Sequence, residues 1–224
     1  VDYSYTKENR NNSRLVYDRS VDNAYNDFNE SLSNKFHSET FEHQPSLGLN
    51  FRGKKLRAGA TAGLQNIRLL NENLFTSTEF DNTYNNFFSR LFAHYRINQT
   101  KSMYFNYRSN WNVPSINQLQ PVANTTNPLN IVVGNPDLRP TLNHNLYGNF
   151  NNYDFKNKSG FYAYLGGNVY QDQVVSITTT DEDLVRNTTY TNIDGAYNLY
   201  TGFSLDKTYK VKDENTIRLS SGIN

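Results

Sequence analysis

The run Ser46-Leu-Gly-Leu-Asn-Phe-Arg52 is followed by Gly53-Lys-Lys55 and then by Leu56-Arg-Ala-Gly-Ala-Thr-Ala-Gly-Leu64. In the first run Leu47, Leu49 and Phe51 fall on one side, with Ser46, Gly48, Asn50 and Arg52 on the other. In the second, Leu56, Ala58, Ala60, Ala62 and Leu64 oppose Arg57, Gly59, Thr61 and Gly63. A period of two is the signature of a strand with one apolar face. Two such runs around a short Gly-containing break read as a β-hairpin.

Working outward, the same unit recurs. Phe87, Leu91, Ala93, Tyr95 and Ile97 share a face, and Phe88, Arg90, Phe92, His94 and Arg96 share the other. After the turn Asn98–Lys101, Met103, Phe105, Tyr107 and Trp111 oppose Ser102, Asn106, Arg108 and Asn110. Leu142–Tyr153 and Gly160–Tyr170 flank the polar turn Asp154–Ser159, with Phe161, Ala163, Leu165 and Val169 alternating with Tyr162, Tyr164, Asn168 and Tyr170. Ile193, Tyr197, Leu199, Phe203 and Leu205 oppose Asn192, Asp194, Asn198 and Asp206. A charged turn near Lys207–Glu214 precedes a further run at Ile217, Leu219 and Ile223.

The breaks alternate in length. Those near 53–55, 98–101, 154–159 and 207–214 are short, and those near 10–39, 71–82, 113–140 and 178–188 are longer, polar and Asn-rich. Short turns at one end and long loops at the other are the rhythm of a transmembrane β-barrel. The strands read as roughly 9 to 15 residues, near or above the length that crosses a bilayer at a tilt. The expectation is all-β: an antiparallel up-and-down meander of about nine strands forming part of a transmembrane barrel. A soluble β-sandwich, or an adhesin-type module binding carbohydrate, is the alternative, because it too has one polar face.

Composition agrees with strands. There are 17 Tyr and 14 Phe against one Trp and one Met, and Tyr and Phe favour strands. A mean hydropathy of -0.77 is no obstacle, since a barrel strand needs apolar residues only at alternate positions. A membrane-spanning helix needs about 18 consecutive apolar residues, and the longest apolar stretches, such as Asn130–Gly134 and Asp172–Thr178, are far shorter. The 22 basic and 21 acidic residues are interspersed, which gives no footprint for nucleic acid. There are no cysteines, so a disulfide scaffold, a thiolate metal site and a Cys nucleophile are excluded. The chain opens at Val1 without a basic and apolar leader and stops within an alternating run. It therefore reads as an internal piece of a longer polypeptide, residues 1–224 being a partial barrel domain with no plug domain.

Five of the six prolines, Pro114, Pro121, Pro128, Pro136 and Pro140, lie between 113 and 141. Proline cannot donate to a ladder, so this stretch is a stiffened loop and not a central strand. Its wording carries a resemblance. Arg108-Ser-Asn-Trp-Asn-Val-Pro-Ser-Ile-Asn-Gln-Leu119, Asn127-Pro-Leu-Asn-Ile-Val-Val133 and Gly134-Asn-Pro-Asp-Leu-Arg-Pro140 resemble the barrel domain of TonB-dependent outer-membrane receptors. The match is nearest to the outer-membrane β-barrel subfamily whose members resemble these receptors, and Tyr190-Thr-Asn-Ile-Asp-Gly195 is a weaker likeness. Pro114, Gln118, Leu119, Gly134, Asn135, Pro136, Leu138 and Pro140 are the motif positions, with a structural role expected. One departure is Thr141, where the family usually has Glu.

The resemblance implies a barrel of about 22 strands with a plugged lumen, seated in outer-membrane lipid and driven by TonB through a plug domain that this chain lacks. The ligand, an unidentified nutrient, would first meet the loops near 10–39, 71–82, 113–140 and 178–188. By parity alone, Arg90, Arg96, Asn106, Arg108, Tyr162, Tyr164 and Asn168 line the lumen. No cofactor is expected.

Other motifs carry less. His37, His43, His94 and His144 have no ligand-like spacing. Asp181-Glu-Asp183 places acids at adjacent positions, unlike a calcium loop, and reads as a solvated loop tip. Nucleophile-elbow, phosphate-loop and zinc signatures are missing from the sequence, and no enzymatic activity is expected. Asn-x-Ser/Thr triplets, as at Asn11 and Asn187, follow from the abundance of these residues. Lys54, Lys55, Lys101, Lys156 and Lys158 read as charges that keep the short turns solvated.

Overall fold

A computed structural model describes residues 1–22, 24–30, 33–75, 78–121, 123–156, 158–210 and 216–223. In chain order the strands are β1 (Asp2–Arg14), β2 (Tyr17–Arg19), β3 (Tyr25–Phe28), β4 (Asn34–Arg52), β5 (Leu56–Asn73), β6 (Thr78–Arg96) and β7 (Lys101–Asn112). A single helical turn α1 (Ile116–Leu119) follows, then β8 (Asn124–Asn127), β9 (Asn130–Val132), β10 (Thr141–Asp154), β11 (Ser159–Gln171), β12 (Gln173–Thr180), β13 (Arg186–Ile193), β14 (Ala196–Lys210) and β15 (Thr216–Ile223). Nine of these form one sheet in the order β1-β4-β5-β6-β7-β10-β11-β14-β15. Every neighbouring pair in it is antiparallel. This is the meander expected from the alternation. Among the described residues no helix is long and apolar enough to cross a membrane.

The register carries one apolar face across the whole sheet. Phe51, Ala58, Ala93, Phe105, Gly148 and Leu165 form a transverse row of directly opposed residues. Leu49, Ala60, Leu91, Tyr107 and Leu146 form the next. These side chains have nothing packed over them, as the exposure of Leu49 (73%) and Leu199 (72%) shows. So large an exposed apolar surface requires a non-aqueous neighbour. From Phe87 to Ile97 the face runs roughly 33 Å along the strand at about 3.3 Å per residue, or about 25 Å vertically at a tilt near 40°. That is the height of an outer-membrane apolar band. Trp111 sits at its upper rim, its indole N–H donating to the Phe87 carbonyl at 2.8 Å.

The short connections 53–55, 97–100 and 155–158 fall at one end of the sheet. The turn expected near Lys207–Glu214 lies in part outside the described residues, and β14 continues through Lys210.

At the other end the expected long loops need correction. The stretch read as a loop over 71–82 is mostly hairpin, because β5 continues to Asn73 and β6 begins at Thr78. Likewise β1 and β4 stay paired from Asp2↔Ser46 to Arg14↔Asn34, and the small β2–β3 hairpin lies between them outside the sheet. The stretch 178–188 is the tip of the β12–β13 hairpin. Accordingly β4 and β6 reach 19 residues, well beyond the 9 to 15 expected. The reason is an exchange of faces. Above Leu64 the outward positions are Asn66, Arg68, Leu70 and Glu72, polar at all but Leu70, while the opposite side becomes apolar at Ile67 and Leu69, which are buried. Past the membrane the hairpin is stabilised from inside.

What buries that inner side is the proline loop. Ile67, Leu69, Leu119 and Leu138 form a core, with Tyr84, Val113, Val174 and Tyr190 packed against it. The loop also builds a second sheet of order β12-β13-β9-β8, in which β9 runs parallel to β13. The sixth proline, Pro45, lies inside β4, and the β4–β5 register skips Gln44 and Pro45, as expected for a residue without an N–H.

Candidate functional site: the polar face and the loop that folds over it

The seven residues assigned to the lumen by parity all lie on the polar face of the nine-stranded sheet, and the register arranges them in rows. The upper row is Gly48, Thr61, Arg90, Arg108, Asn145, Asn168 and Asn198. Two residues lower come Asn50, Gly59, Phe92, Asn106, Tyr147, Gly166 and Tyr200. The next contains Arg52, Arg57, His94, Tyr104, Asn149, Tyr164 and Gly202. The lowest contains Arg96, Ser102, Asn151, Tyr162 and Ser204.

Two arrays of partners knit these rows. Asn145 Nδ2 donates to Asn168 Oδ1 at 2.9 Å, and Asn168 Nδ2 donates to Asn198 Oδ1 at 2.8 Å. The Tyr147 and Tyr162 hydroxyls lie 2.7 Å apart. Tyr164 stacks on Tyr147 and meets Tyr162 and Tyr200 at ring-centroid distances of 5.9 to 6.4 Å. Glycines make room for the rings. A Cβ on Gly202 would lie 2.6 Å from Tyr164 Oη, and one on Gly166 would lie 2.4 Å from Tyr200 Cζ. Asn198 was already placed on the polar face by its alternation; Tyr104, Tyr147, Tyr200 and Asn145 were not singled out in the sequence, although the period of two in β7, β10 and β14 would have found them.

The motif residues of the loop have mechanical roles. Ser115 N–H donates to Gln118 Oε1 at 2.8 Å and so closes the one turn of α1. Leu119 at its end is fully buried. Gly134 N–H donates to the Gln120 carbonyl, and Asn135 N–H to the Gln118 carbonyl. At Gly134 a Cβ would sit 2.3 Å from that Gln120 oxygen, so only glycine allows the two backbone segments to meet. Asn135 turns the chain by accepting from Asp137 N–H at 2.9 Å and donating to the Tyr190 carbonyl at 3.0 Å. The Pro136 carbonyl accepts from Asn82, and the Leu138 carbonyl accepts from the Tyr84 hydroxyl. Pro114 and Pro140 are buried at the two loop ends. Thr141, the departure from the family wording, is buried and donates its hydroxyl proton to the Asp172 carbonyl at 3.1 Å while accepting from Val174 N–H.

The loop is tied to the β12–β13 hairpin as well. Asn192 Oδ1 accepts from Arg139 N–H, and its amide donates to the carbonyls of Arg139 and Asp172 at 2.9 and 2.7 Å. Arg139 also pairs with the Asp172 carboxylate at 2.5 Å. Asp181 caps the hairpin turn, accepting from Asp183 N–H and Val185 N–H. That makes the acidic triplet a turn, with its first carboxylate used by the backbone.

His94 and His144 lie on opposite faces of the sheet, His144 bonding the Tyr107 hydroxyl at 2.8 Å on the apolar side. Among the described residues no group of three or more His, Cys, Asp or Glu side chains could hold a metal ion. On the outward side of the β5–β6 extension Arg68 donates to Asp81 at 2.6 Å. That hydrogen bond, reinforced by the guanidinium charge, holds the Asp81 carboxyl below the usual carboxylate range.

Solved structures share this fold. The hemophore receptor HasR of Serratia marcescens, a double mutant in complex with its hemophore HasA and heme, aligns over 94% of this chain at TM-score 0.59 and 10% identity. The copper transporter OprC aligns over 98% at TM-score 0.54 and 13% identity. The alignments cover 38% and 35% of those two proteins, so the chain spans little more than a third of their length. No curated protein matches the sequence. The soluble β-sandwich alternative is set aside, because a family match over residues 1–224 places the chain in the cell outer membrane. With its one-sided nine-stranded sheet and that full-length match, the chain belongs to the outer membrane protein beta-barrel family.

Proposed function

We propose that the chain is part of the wall of a TonB-dependent receptor that recognises a nutrient at the cell surface and passes it through the barrel. The observation that carries this reading is the proline loop, which folds back over the polar face and is held there by Leu119 and Leu138. A loop secured in this way puts an external sheet at the mouth of a lumen. Below it lie rows of Asn, Tyr and Arg able to hydrogen-bond a passing solute. The apolar face then meets outer-membrane lipid, and Arg90, Arg96, Asn106, Arg108, Tyr162, Tyr164 and Asn168 line the inside. Energy comes from TonB acting through a plug domain. Reception of a hemophore with heme and transport of copper by the structural neighbours support uptake as the class of function. The chain performs no catalysis in this reading.

The test compares cells carrying the full-length protein with cells lacking it and cells lacking TonB. All three grow on one complex medium, and solute depletion is followed by mass spectrometry. The expected result is at least one solute that stays undepleted in both deficient strains. If every solute is consumed equally by all three, uptake is not the function.

A further inference from the structure

From the row of Arg90 down to the short turns, the polar face of β4, β5, β6, β7, β10 and β11 carries Arg52, Arg57, Arg90, Arg96 and Arg108, with His94 among them. Among the described residues that area carries no Asp or Glu. The chain as a whole is nearly balanced, with 22 basic and 21 acidic residues, so the segregation does not come from composition. The next strand has an acid on this face, Asp206, but Arg218 and Ser220 already bond it. Among the described residues none of the five arginines forms an ion pair, and all five are exposed.

Four of these cations form two direct cross-strand pairs, Arg52 with Arg57 beside the short turns and Arg90 with Arg108 higher up, and only the second pair adjoins the amide run. Arg90 faces Arg108, and Arg108 in turn faces Asn145, the first member of the hydrogen-bonded amide run Asn145, Asn168 and Asn198. Like charges directly opposite each other on adjacent strands destabilise a sheet. In a narrow lumen, with less water to screen them, the repulsion grows. An anion between the two guanidinium groups converts that repulsion into attraction and can be held by paired N–H donors on each side. The row of two cations and three amides spans about 19 Å at about 4.8 Å per strand. The tyrosines two and four residues lower lie beside it.

We propose that the Arg90–Arg108 row is an anion subsite, and that the solute carried by this barrel is a small molecule bearing carboxylate or phosphate groups. The proposal deepens the uptake reading and rests on the polar face being the lumen wall.

The test uses the full-length protein, folded and purified in detergent, titrated calorimetrically with citrate and with inorganic pyrophosphate, sucrose serving as the neutral control. Citrate or pyrophosphate should bind and sucrose should not. The affinity should fall with added salt and weaken about tenfold or more in the R90Q/R108Q double variant. The R90K/R108K variant, which keeps both charges, should retain most of it. Because both side chains are exposed, heat-modifiable migration on gels should show all variants folded. Anion affinity unchanged in the double variant, or no anion binding to the wild type, overturns the proposal. So does a double variant that becomes permeable to a large antibiotic with its anion affinity intact, since the arginines would then be holding an acidic segment of the plug. Failure of the uptake reading is separable. Loss of citrate binding in the double variant without any TonB-dependent solute would leave an anion subsite on a barrel with another task.

Discussion

Replacing Leu119 by alanine should release the proline loop without unfolding the sheet. Leu119 is fully buried among Ile67, Leu69 and Leu138. The substitution removes three carbons, about 2.4 kcal/mol of transfer free energy at about 0.8 kcal/mol per group, and a residual cavity brings the total to about 3 kcal/mol. The cluster that loses Leu119 joins the loop to Ile67 and Leu69 of β5 and to the loop's own Leu138, so the cost falls on loop opening and not on the nine-stranded ladder. At about 1.4 kcal/mol per decade, about 3 kcal/mol multiplies the open population by about two orders of magnitude. The reporters are the amides of Gly134 and Asn135, which donate to the carbonyls of Gln120 and Gln118. Hydrogen exchange measured by mass spectrometry on the full-length protein in detergent or nanodiscs should speed up about a hundredfold in peptides covering 118–138. Peptides covering 87–108 should be unchanged. Uniform acceleration across both regions, or none in the loop, refutes the assignment of Leu119 as the bolt of this loop.

The Gly134→Ala variant should open the same loop, because its Cβ meets the Gln120 backbone at 2.3 Å; the expected cost is about 1 to 3 kcal/mol, read by the same exchange experiment, and wild-type protection at Asn135 would refute it. Leu49→Arg places a charge on the outward face where Leu49 is 73% exposed; if that face meets lipid, folding into bilayers should weaken by about 2 to 4 kcal/mol, and a neutral result in a urea titration would deny the lipid contact. Gly202→Val should displace the Tyr164 ring, whose atoms lie 2.6 to 2.7 Å from the added Cβ, and so change lumen binding while leaving the outward face intact. The Arg68–Asp81 bridge holds the Asp81 carboxyl low, so its contribution is present above the unfolded value of about 3.9 and is lost as pH falls through the lower folded value. Spin-label mobility at the β5–β6 tip should therefore differ between wild type and Asp81→Asn at pH 7 and at pH 5, and converge only below about pH 4; convergence above pH 5 would contradict the bridge.

The strands of the membrane belt were legible because lipid imposes a strict period of two. Leu47, Leu49 and Phe51 against Gly48, Asn50 and Arg52 leave no second reading of which face is which, and the register pairs these faces across β4 to β14. The proline motif was legible in wording but not in mechanism. That Gly134 must touch Gln120, or that Asn192 would bond Arg139 from more than 50 residues away, depends on contacts that no local pattern encodes. The hairpin above the membrane was misread because its chemistry is that of a loop. Asn71-Glu-Asn73 and Asp81-Asn-Thr83 are turn-forming residues, yet they pair through Asn73↔Thr78 because the opposite face is covered.

The position of that misreading carries its own information. A strand that keeps its ladder while its apolar side changes faces has crossed from one solvent to another. In β5 the change falls between Leu64, outward and exposed, and Ile67, inward and buried. In β6 it falls between Phe87, outward, and Tyr84, which packs on the loop core. Leu64 pairs with Phe87 and Ile67 pairs with Tyr84, so two independent sequences change face at the same height, and Trp111 bonds Phe87 at that level. Neither strand's propensity requires this agreement. A common boundary between two surroundings does, and the Leu64–Phe87 row is where the two strands mark it. In the uptake reading proposed above, a ligand would first meet the residues above that row, and the Arg90–Arg108 row, three residues further down β6 from Phe87, is where a solute's charge would first meet the wall.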